Sequence, residues 1–345
     1  MRKINQISNG VKIGIIGPGR QGWRRAKVIK EVGDEIIMMA AEKKDKNARL
    51  FSQSFDCEIT DNWKDLIKKK DIDAVLVCTP TNLHAEMAIA ALKAKKHVLC
   101  EKPIALNVKQ AEAILREVKK SGCKLKCGFN LRHHPAVTEA KKMVDKGLIG
   151  EPMFIRCRYG ITGRKGYEKD WRMKKEISGG GQLMDQGVHI LDLARWFLGK
   201  FCEVSGSLST NFWKISPLED NVFSILKTKK SQTAFCHISW TQWKNLFSFE
   251  IYGKDGYLAI EGLGKSYGPE KLIFGKRDFE KPFSQKIINF GNKDRSWLEE
   301  WKEFISAIKE DRQPLGTCYD GLETLKLAEA VYKSIQKEHV IKLMN

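Results

Sequence analysis

Apolar and polar positions alternate along the first third of the chain in a strand–helix rhythm. Lys12–Ile16 is a short apolar strand that runs directly into Gly17-Pro18-Gly19-Arg20-Gln21-Gly22, and a helical pattern follows to about Glu31. Glu35–Ala41 reads as a second strand ending at Glu42, and a short strand is expected near Cys57–Ile59. Asp61 is placed to cap a helix through Lys69. Asp73–Cys78 is a buried-type strand closed by Thr79-Pro80, and Asn82–Lys95 is alanine-rich and helical. His97–Cys100 is a strand ending at Glu101-Lys102-Pro103, Asn107–Ser121 a helix, and Lys124–Gly128 a strand ending at Phe129-Asn130. Strands that alternate with helices predict a parallel, doubly wound sheet, an α/β domain over residues 1–130.

Beyond residue 131 the pattern changes. One helix covers Pro135–Lys146, and strand-like stretches then succeed one another at Met153–Tyr159, Cys202–Thr210, Asn221–Leu226, Gln232–Trp240, Phe247–Tyr252 and Tyr257–Glu261. Several alternate apolar with polar, which predicts an open, mainly antiparallel sheet with one wet face, and so an α+β domain over residues 131–345. A helix around Leu183–Leu198, stopped by Gly199, interrupts it. Trp297–Lys309 and Leu322–Gln336 are terminal helices able to pack back on the first domain.

The unusual residues of the first domain cluster by position. Gly17, Glu42, Thr79, Lys102 and Asn130 each follow the carboxyl end of a predicted strand, the edge where open parallel sheets bind ligands. The glycine turn has the G-x-G-x-x-G spacing of a dinucleotide site. Gly17 permits the tight turn, Gly19 lets the backbone approach a pyrophosphate, Gly22 lets helix and strand close up, and the helix that Arg20 and Gln21 open supplies amide donors. Glu42, about 20 residues beyond Gly22, is placed for the adenosine ribose hydroxyls and favours NAD. Lys43 and Lys44 offset the repulsion of a 2′-phosphate and keep NADP open. Thr79, Pro80, Asn82, His84, Glu101 and Lys102 complete the candidate cofactor-binding set, although Asn82 and His84 are equally suited to capping a helix.

Two groups carry candidate chemistry. Lys102 puts a cation where a reacting hydroxyl and a nicotinamide would meet. Asp185 and His189 are four apart, share one face of the expected helix and follow the triple glycine Gly179-Gly180-Gly181, an acid/base arrangement with His189 as proton acceptor. The alternative is a capped helix with a satisfied core histidine. Tyr167, Trp171 and Arg172, in a glycine-rich loop, suit a sugar face and an anionic group, and Asn130 and Arg132 are further candidate substrate contacts. Asp185, His189 and Asp192 make a poor metal set, because a site needs three or four well-placed ligands.

Composition narrows the class. The chain has 345 residues, a formal charge of +19 and nine scattered cysteines without a C-x-x-C pair. That reads as a reduced, cytoplasmic protein rather than a disulfide scaffold. The apolar runs are too short for a signal peptide or a membrane span. The lysines are spread along helices without interleaved aromatics, which argues against nucleic acid and leaves a solvated surface or a field for an acidic substrate.

Taken together, the glycine turn, Cys78-Thr79-Pro80-Thr81-Asn82-Leu83-His84, Glu101-Lys102-Pro103, Gly128-Phe129-Asn130 and Asp185-Gln186-Gly187-Val188-His189 resemble the glucose–fructose oxidoreductase / inositol dehydrogenase family, Gfo/Idh/MocA, in order and spacing. The resemblance implies a Rossmann domain holding NAD or NADP, then an open-faced domain whose sheet forms dimer or tetramer contacts. It implies a sugar, cyclitol or nucleotide-sugar substrate and catalytic roles for Lys102, Asp185 and His189, which are expected to converge on a shared cleft. Two rivals remain open at this point: a glycosidase that recycles its NAD, and a silent dinucleotide-binding sensor. Retention of Lys102, Asp185 and His189 argues for an enzyme.

Overall fold

The computed structural model describes residues 10–33, 35–41 and 46–343. Glu42, Lys43 and Lys44 lie outside the described residues. The chain divides into two compact units, one formed by residues up to Phe129 together with Trp297–Leu322, the other by Asn130–Ser296 and the residues from Glu323 onward.

The first unit runs β1 (Lys12–Ile16), α1 (Arg20–Val32), β2 (Ile36–Ala41), α2 (Lys46–Phe55), β3 (Glu58–Thr60), α3 (Trp63–Lys68), β4 (Ala74–Val77), α4 (His84–Lys93), β5 (His97–Cys100), α5 (Val108–Ser121) and β6 (Leu125–Cys127). Its six strands are all parallel and ordered β3-β2-β1-β4-β5-β6. The order reverses between β1 and β4, the switch point of a doubly wound sheet. β4 is buried at every position, as a central strand covered on both faces must be. The helix expected from Asp61 is instead capped by Asn62, whose side chain accepts from the Lys64 amide at 3.1 Å. α2 escaped the sequence reading. Six of its ten residues are polar, and its apolar side is short: Phe51 and Phe55 meet Trp23 of α1.

The second unit continues with α6 (Pro135–Asp145), β7 (Pro152–Gly160), α7 (Lys175–Ser178), α8 (Val188–Leu198), β8 (Phe201–Ser209), β9 (Asn221–Thr228), β10 (Thr233–Ser239), β11 (Leu246–Gly253), β12 (Gly256–Glu261), β13 (Glu270–Lys276) and β14 (Gln285–Gly291). α9 (Ser296–Lys309), α10 (Cys318–Gln336) and β15 (Ile341–Lys342) close the chain. The nine strands are ordered β14-β13-β12-β11-β7-β10-β9-β8-β15. β7 and β10 pair in parallel and the other described pairs are antiparallel. Period-two alternation is present, but the outer face, expected to be wet, exposes the apolar Phe223, Ile225 and Phe235 while Ser224 is buried. β13 and β14 were not anticipated, and β14 has no buried residue for a period to reveal. Because β7, β8, β10 and β12 finish where β9, β11 and β13 begin, the segments 161–182, 210–220, 240–245 and 262–269 gather at one end of this sheet.

α9 returns to complete the first unit. Trp301, Phe304, Ile305 and Ile308 share one core with Ile13, Ile15, Ala26 and Ile29 of β1 and α1. The same segment supplies buried charge. Arg25 of α1 bonds Glu101 through Nε (3.0 Å) and Nη2 (2.9 Å), and pairs with Glu300 through Nη1. Lys126 of β6 pairs with Glu303 at 2.7 Å. Burial alone would lower the Arg25 pKa, but the two carboxylates outweigh it and hold the guanidinium charged.

Candidate active site

In the first unit the glycine turn forms a cradle. Gly17 has φ +81°, and a side chain there would meet the Thr79 amide nitrogen at 2.9 Å. A Cβ on Gly22 would lie 2.7 Å from the Gly17 carbonyl oxygen. At Gly19 a Cβ would meet nothing within 4 Å, so bare backbone faces open space where the first amides of α1 lack intrahelical acceptors. Those features fit the pyrophosphate of a dinucleotide. Arg20 and Gln21 open the helix beside it, Gln21 accepting from Arg24 at 3.2 Å.

Thr79 and Pro80 follow β4, and Asn82 is exposed in a short 3₁₀ turn before α4. His84 is buried, with Nδ1 at 2.8 Å from the Pro103 carbonyl and Nε2 at 2.8 Å from the Thr79 carbonyl. Burial lowers its pKa, and the nearby Lys102 charge adds to that. The ring therefore ties the turn after β4 to the turn after β5. Glu101 is held from the other side by Arg25. Lys102, partly exposed, thus lies between two anchored neighbours, Glu101 and Pro103.

In the second unit the helix expected over Leu183–Leu198 begins as a π-helical turn, Leu183–Gly187, before α8. Asp185 sits in that wider turn and His189 is buried in the first turn of α8, so the simple α-helical spacing read from the sequence does not describe the pair. Single π turns recur at functional sites. The Asp185 carboxylate lies 3.9 Å from Arg172 Nε. Arg172 stacks on Trp171 (4.4 Å) and bonds Asp170 at 3.1 Å. Tyr167 is buried edge-on to Trp240 at 4.9 Å, and burial followed by the Asp185 charge pushes its pKa up. Tyr159 is raised by burial first and then by Tyr267 and Asp185. Asp185 therefore faces two tyrosines and an arginine at the gathered end of the sheet.

Other sequence candidates have partners that occupy them. Arg132 makes a buried two-point pair with Asp192 (2.7 and 2.6 Å), and Asn130 donates to Ser296 Oγ at 2.9 Å. The sequence reading missed Glu219 and Tyr332. The Glu219 carboxylate accepts from the Leu183 amide (3.0 Å) and the Tyr332 hydroxyl (2.8 Å), which fixes the start of the π turn. Burial raises its pKa against those bonds. The triple glycine is what admits this contact: a Cβ on Gly181 would meet the Glu219 backbone, with its amide nitrogen 2.8 Å away. Gly181→Ala is therefore expected to cost about 1–3 kcal/mol of stability by overpacking, read as a lowered urea midpoint, and to reduce kcat by displacing Asp185. An unchanged midpoint would show that the segment yields freely.

A glycine cradle at the switch point of a parallel sheet, with an anchored lysine two strands away on the same edge, defines a dinucleotide-dependent oxidoreductase. Residues 11–129 match the model described as an oxidoreductase family with an NAD-binding Rossmann fold, and residues 137–259 match the Gfo/Idh/MocA C-terminal domain. The chain belongs to the Gfo/Idh/MocA family and is an NAD-binding oxidoreductase. It is 29% identical to myo-inositol 2-dehydrogenase of Thermotoga maritima over 96% of this chain and 98% of that one. It is 37% identical to levoglucosan dehydrogenase of Pseudarthrobacter phenanthrenivorans, over 53% of this chain and 45% of that one. Among solved structures, levoglucosan dehydrogenase in complex with NADH shares the fold, with a TM-score of 0.88 at 24% identity, covering 97% of this chain and 100% of that chain. An oxidoreductase domain protein from Kribbella flavida matches with a TM-score of 0.88 at 25% identity, over 98% and 100%. No described helix is long and apolar enough to cross a membrane.

Proposed function

We propose that this protein is a dehydrogenase of sugar-type CH–OH groups, using NAD. The observation that carries the reading is Lys102, fixed between the Arg25-bound Glu101 and the His84-bound Pro103 carbonyl on the edge that bears the glycine cradle. The relatives named as inositol and levoglucosan dehydrogenases act on polyhydroxylated rings, which supports a sugar or cyclitol substrate here.

The residues that hold the dinucleotide in this reading are the backbone of Gly17, Gly19, Arg20, Gln21 and Gly22, with Thr79, Pro80 and Asn82 along the adjacent turn. When bound, NAD supplies the acceptor for the hydrogen leaving the substrate carbon. His189 takes the proton of the reacting hydroxyl as general base. Lys102 hydrogen-bonds the same oxygen and stabilises the charge that develops on it. Asp185, whose carboxylate is near Arg172 and two buried tyrosines, orients the hydroxyl or His189. Trp171 and Arg172 flank the ring.

Absorbance at 340 nm across polyols, free sugars and nucleotide sugars tests this. At least one substrate is expected to give stoichiometric NADH. No NADH with any of them, while the protein still binds NADH, would make it a sensor or a redox-recycling enzyme instead.

A further inference from the structure

Two consecutive acids, Glu219 and Asp220, end the segment 210–220 at the gathered end of the nine-stranded sheet. Both are buried, at 2% and 0% exposure, and neither takes part in the proton chemistry above. The Asp220 amide donates to the Ser209 carbonyl at 3.0 Å, so the chain is already extended ahead of β9. Successive side chains of an extended chain point to opposite sides. These two bond different segments.

Glu219 faces the turn that carries Asp185. Its Oε1 accepts the Leu183 amide (3.0 Å) and the Tyr332 hydroxyl (2.8 Å), and its backbone carbonyl accepts the Gln182 amide at 3.0 Å. Two successive amides therefore end on one residue, just before Asp185. Asp220 faces the other way. Its carboxylate accepts the amides of Asn211 (2.9 Å), Phe212 (2.8 Å) and Trp213 (3.0 Å). Its backbone carbonyl accepts the Trp240 amide at 2.8 Å, and the Trp240 carbonyl in turn accepts Trp213 Nε1 at 3.0 Å. Trp213 is thus held at its backbone and at its ring.

The two sets of bonds meet again at the site. Trp213 and Trp240 pack edge-on against Tyr167 (5.6 and 4.9 Å), and the Asp185 charge acts on the Tyr167 hydroxyl. One route from Asp185 runs through the π turn to Glu219, and the other through Tyr167 and Trp213 to Asp220. Both end on a single rigid peptide bond. Neither acid can follow one segment alone without leaving buried donors unbonded on the other. We propose that Glu219 and Asp220 are positioning residues that act as one unit, coupling the turn that bears Asp185 to the aromatic wall formed by Tyr167 and Trp213. A substrate ring seated on that wall then sets the place of Asp185, a consequence that rests on the dehydrogenase reading of the site. The coupling itself does not.

Amide hydrogen exchange read by mass spectrometry on the full chain tests the coupling without any substrate. Glu219→Gln and Asp220→Asn keep the shape of each side chain but set an NH₂ group against N–H donors. Each variant is expected to speed exchange about tenfold or more in both segments, 181–187 and 210–214, with Val108–Ser121 of the first unit unchanged. Acceleration confined to each residue's own segment would mean two separate anchors and overturns the proposal. If either variant is so unstable that every segment speeds up, Tyr332→Phe decides, because it removes one hydroxyl from Glu219 and nothing from Asp220. It is expected to speed exchange in 210–214, and no change there overturns the coupling.

Kinetics on whichever sugar or polyol yields NADH supply the second readout. Glu219→Gln is expected to lower kcat about ten- to hundredfold with NADH affinity unchanged. Asp220→Asn is expected to lower kcat as well as raise KM, although its own bonds go to the wall. A change in KM alone for Asp220→Asn, or parent kcat per NADH-binding site in either variant, refutes the positioning role. No NADH from any sugar sinks the dehydrogenase reading and leaves the exchange data to decide the coupling.

Discussion

Lys102→Ala is expected to lower kcat by about 10²–10⁴-fold, the range typical of losing a positioned proton-handling group, while leaving NADH affinity within a few-fold of the parent. The separation of effects follows from the geometry. The backbone on either side of 102 is held through its neighbours: Glu101 through Arg25, and Pro103 through His84. Removing the side chain thus deletes the ammonium without loosening the edge that cradles the dinucleotide. Lys102→Arg sharpens the test, because arginine keeps the charge but cannot release a proton near neutral pH. Turnover rescued by arginine would assign Lys102 an electrostatic role. Turnover equal to the parent in Lys102→Ala, measured beside NADH binding by fluorescence, would remove it from catalysis.

Arg25→Met is expected to be the most damaging single change to stability, about 3–5 kcal/mol, because it leaves two carboxylates buried without their cation. Both Glu101 and Glu300 face Arg25, and Glu300 is fully buried. The pH dependence has a definite sign. Burial raises the Glu300 pKa above the 4.5 of a free glutamate even with Arg25 present, and removing the cation raises it further. A carboxyl with a raised folded-state pKa is tolerated below its unfolded value, and the stability is lost as pH rises through the folded one. The variant should therefore lie closest to the parent in acid and fall away as pH increases past 4.5, measured by urea midpoints at several pH values. Adding Glu300→Gln should recover part of the loss at neutral pH. A variant as stable as the parent at pH 7 would mean water reaches the carboxylates.

These two residues also mark what the sequence could and could not disclose. The parallel, doubly wound sheet and the glycine turn after its first strand were legible, because a buried strand is a continuous apolar run and a phosphate cradle needs glycine. The partners of buried charge were not. Glu101 was read as a cofactor residue and Arg132 as a substrate residue, with no sign of their ion pairs: Arg25 meets Glu101 across 76 positions and Glu300 across 275, and Arg132 meets Asp192 across 60. Periodicity reports which face is buried, and a long-range ion pair leaves no period. The same holds for Glu219 and Tyr332, 113 positions apart, which together steady the π turn. β14 stayed hidden for the opposite reason, since an edge strand without a buried face has no alternation to read.

The return of α9 to the first sheet sets the order in which this chain can mature on the ribosome. The strands up to β6 leave the exit tunnel with the hydrophobic surface around Ile13, Ile15 and Ile29 still lacking Trp301, Phe304 and Ile308. Roughly 170 residues must be translated before those side chains emerge, an interval on the order of ten seconds to half a minute. For that time the nascent nucleotide-binding half is an incomplete globule, dependent on a holdase or on the rest of its own message to escape aggregation.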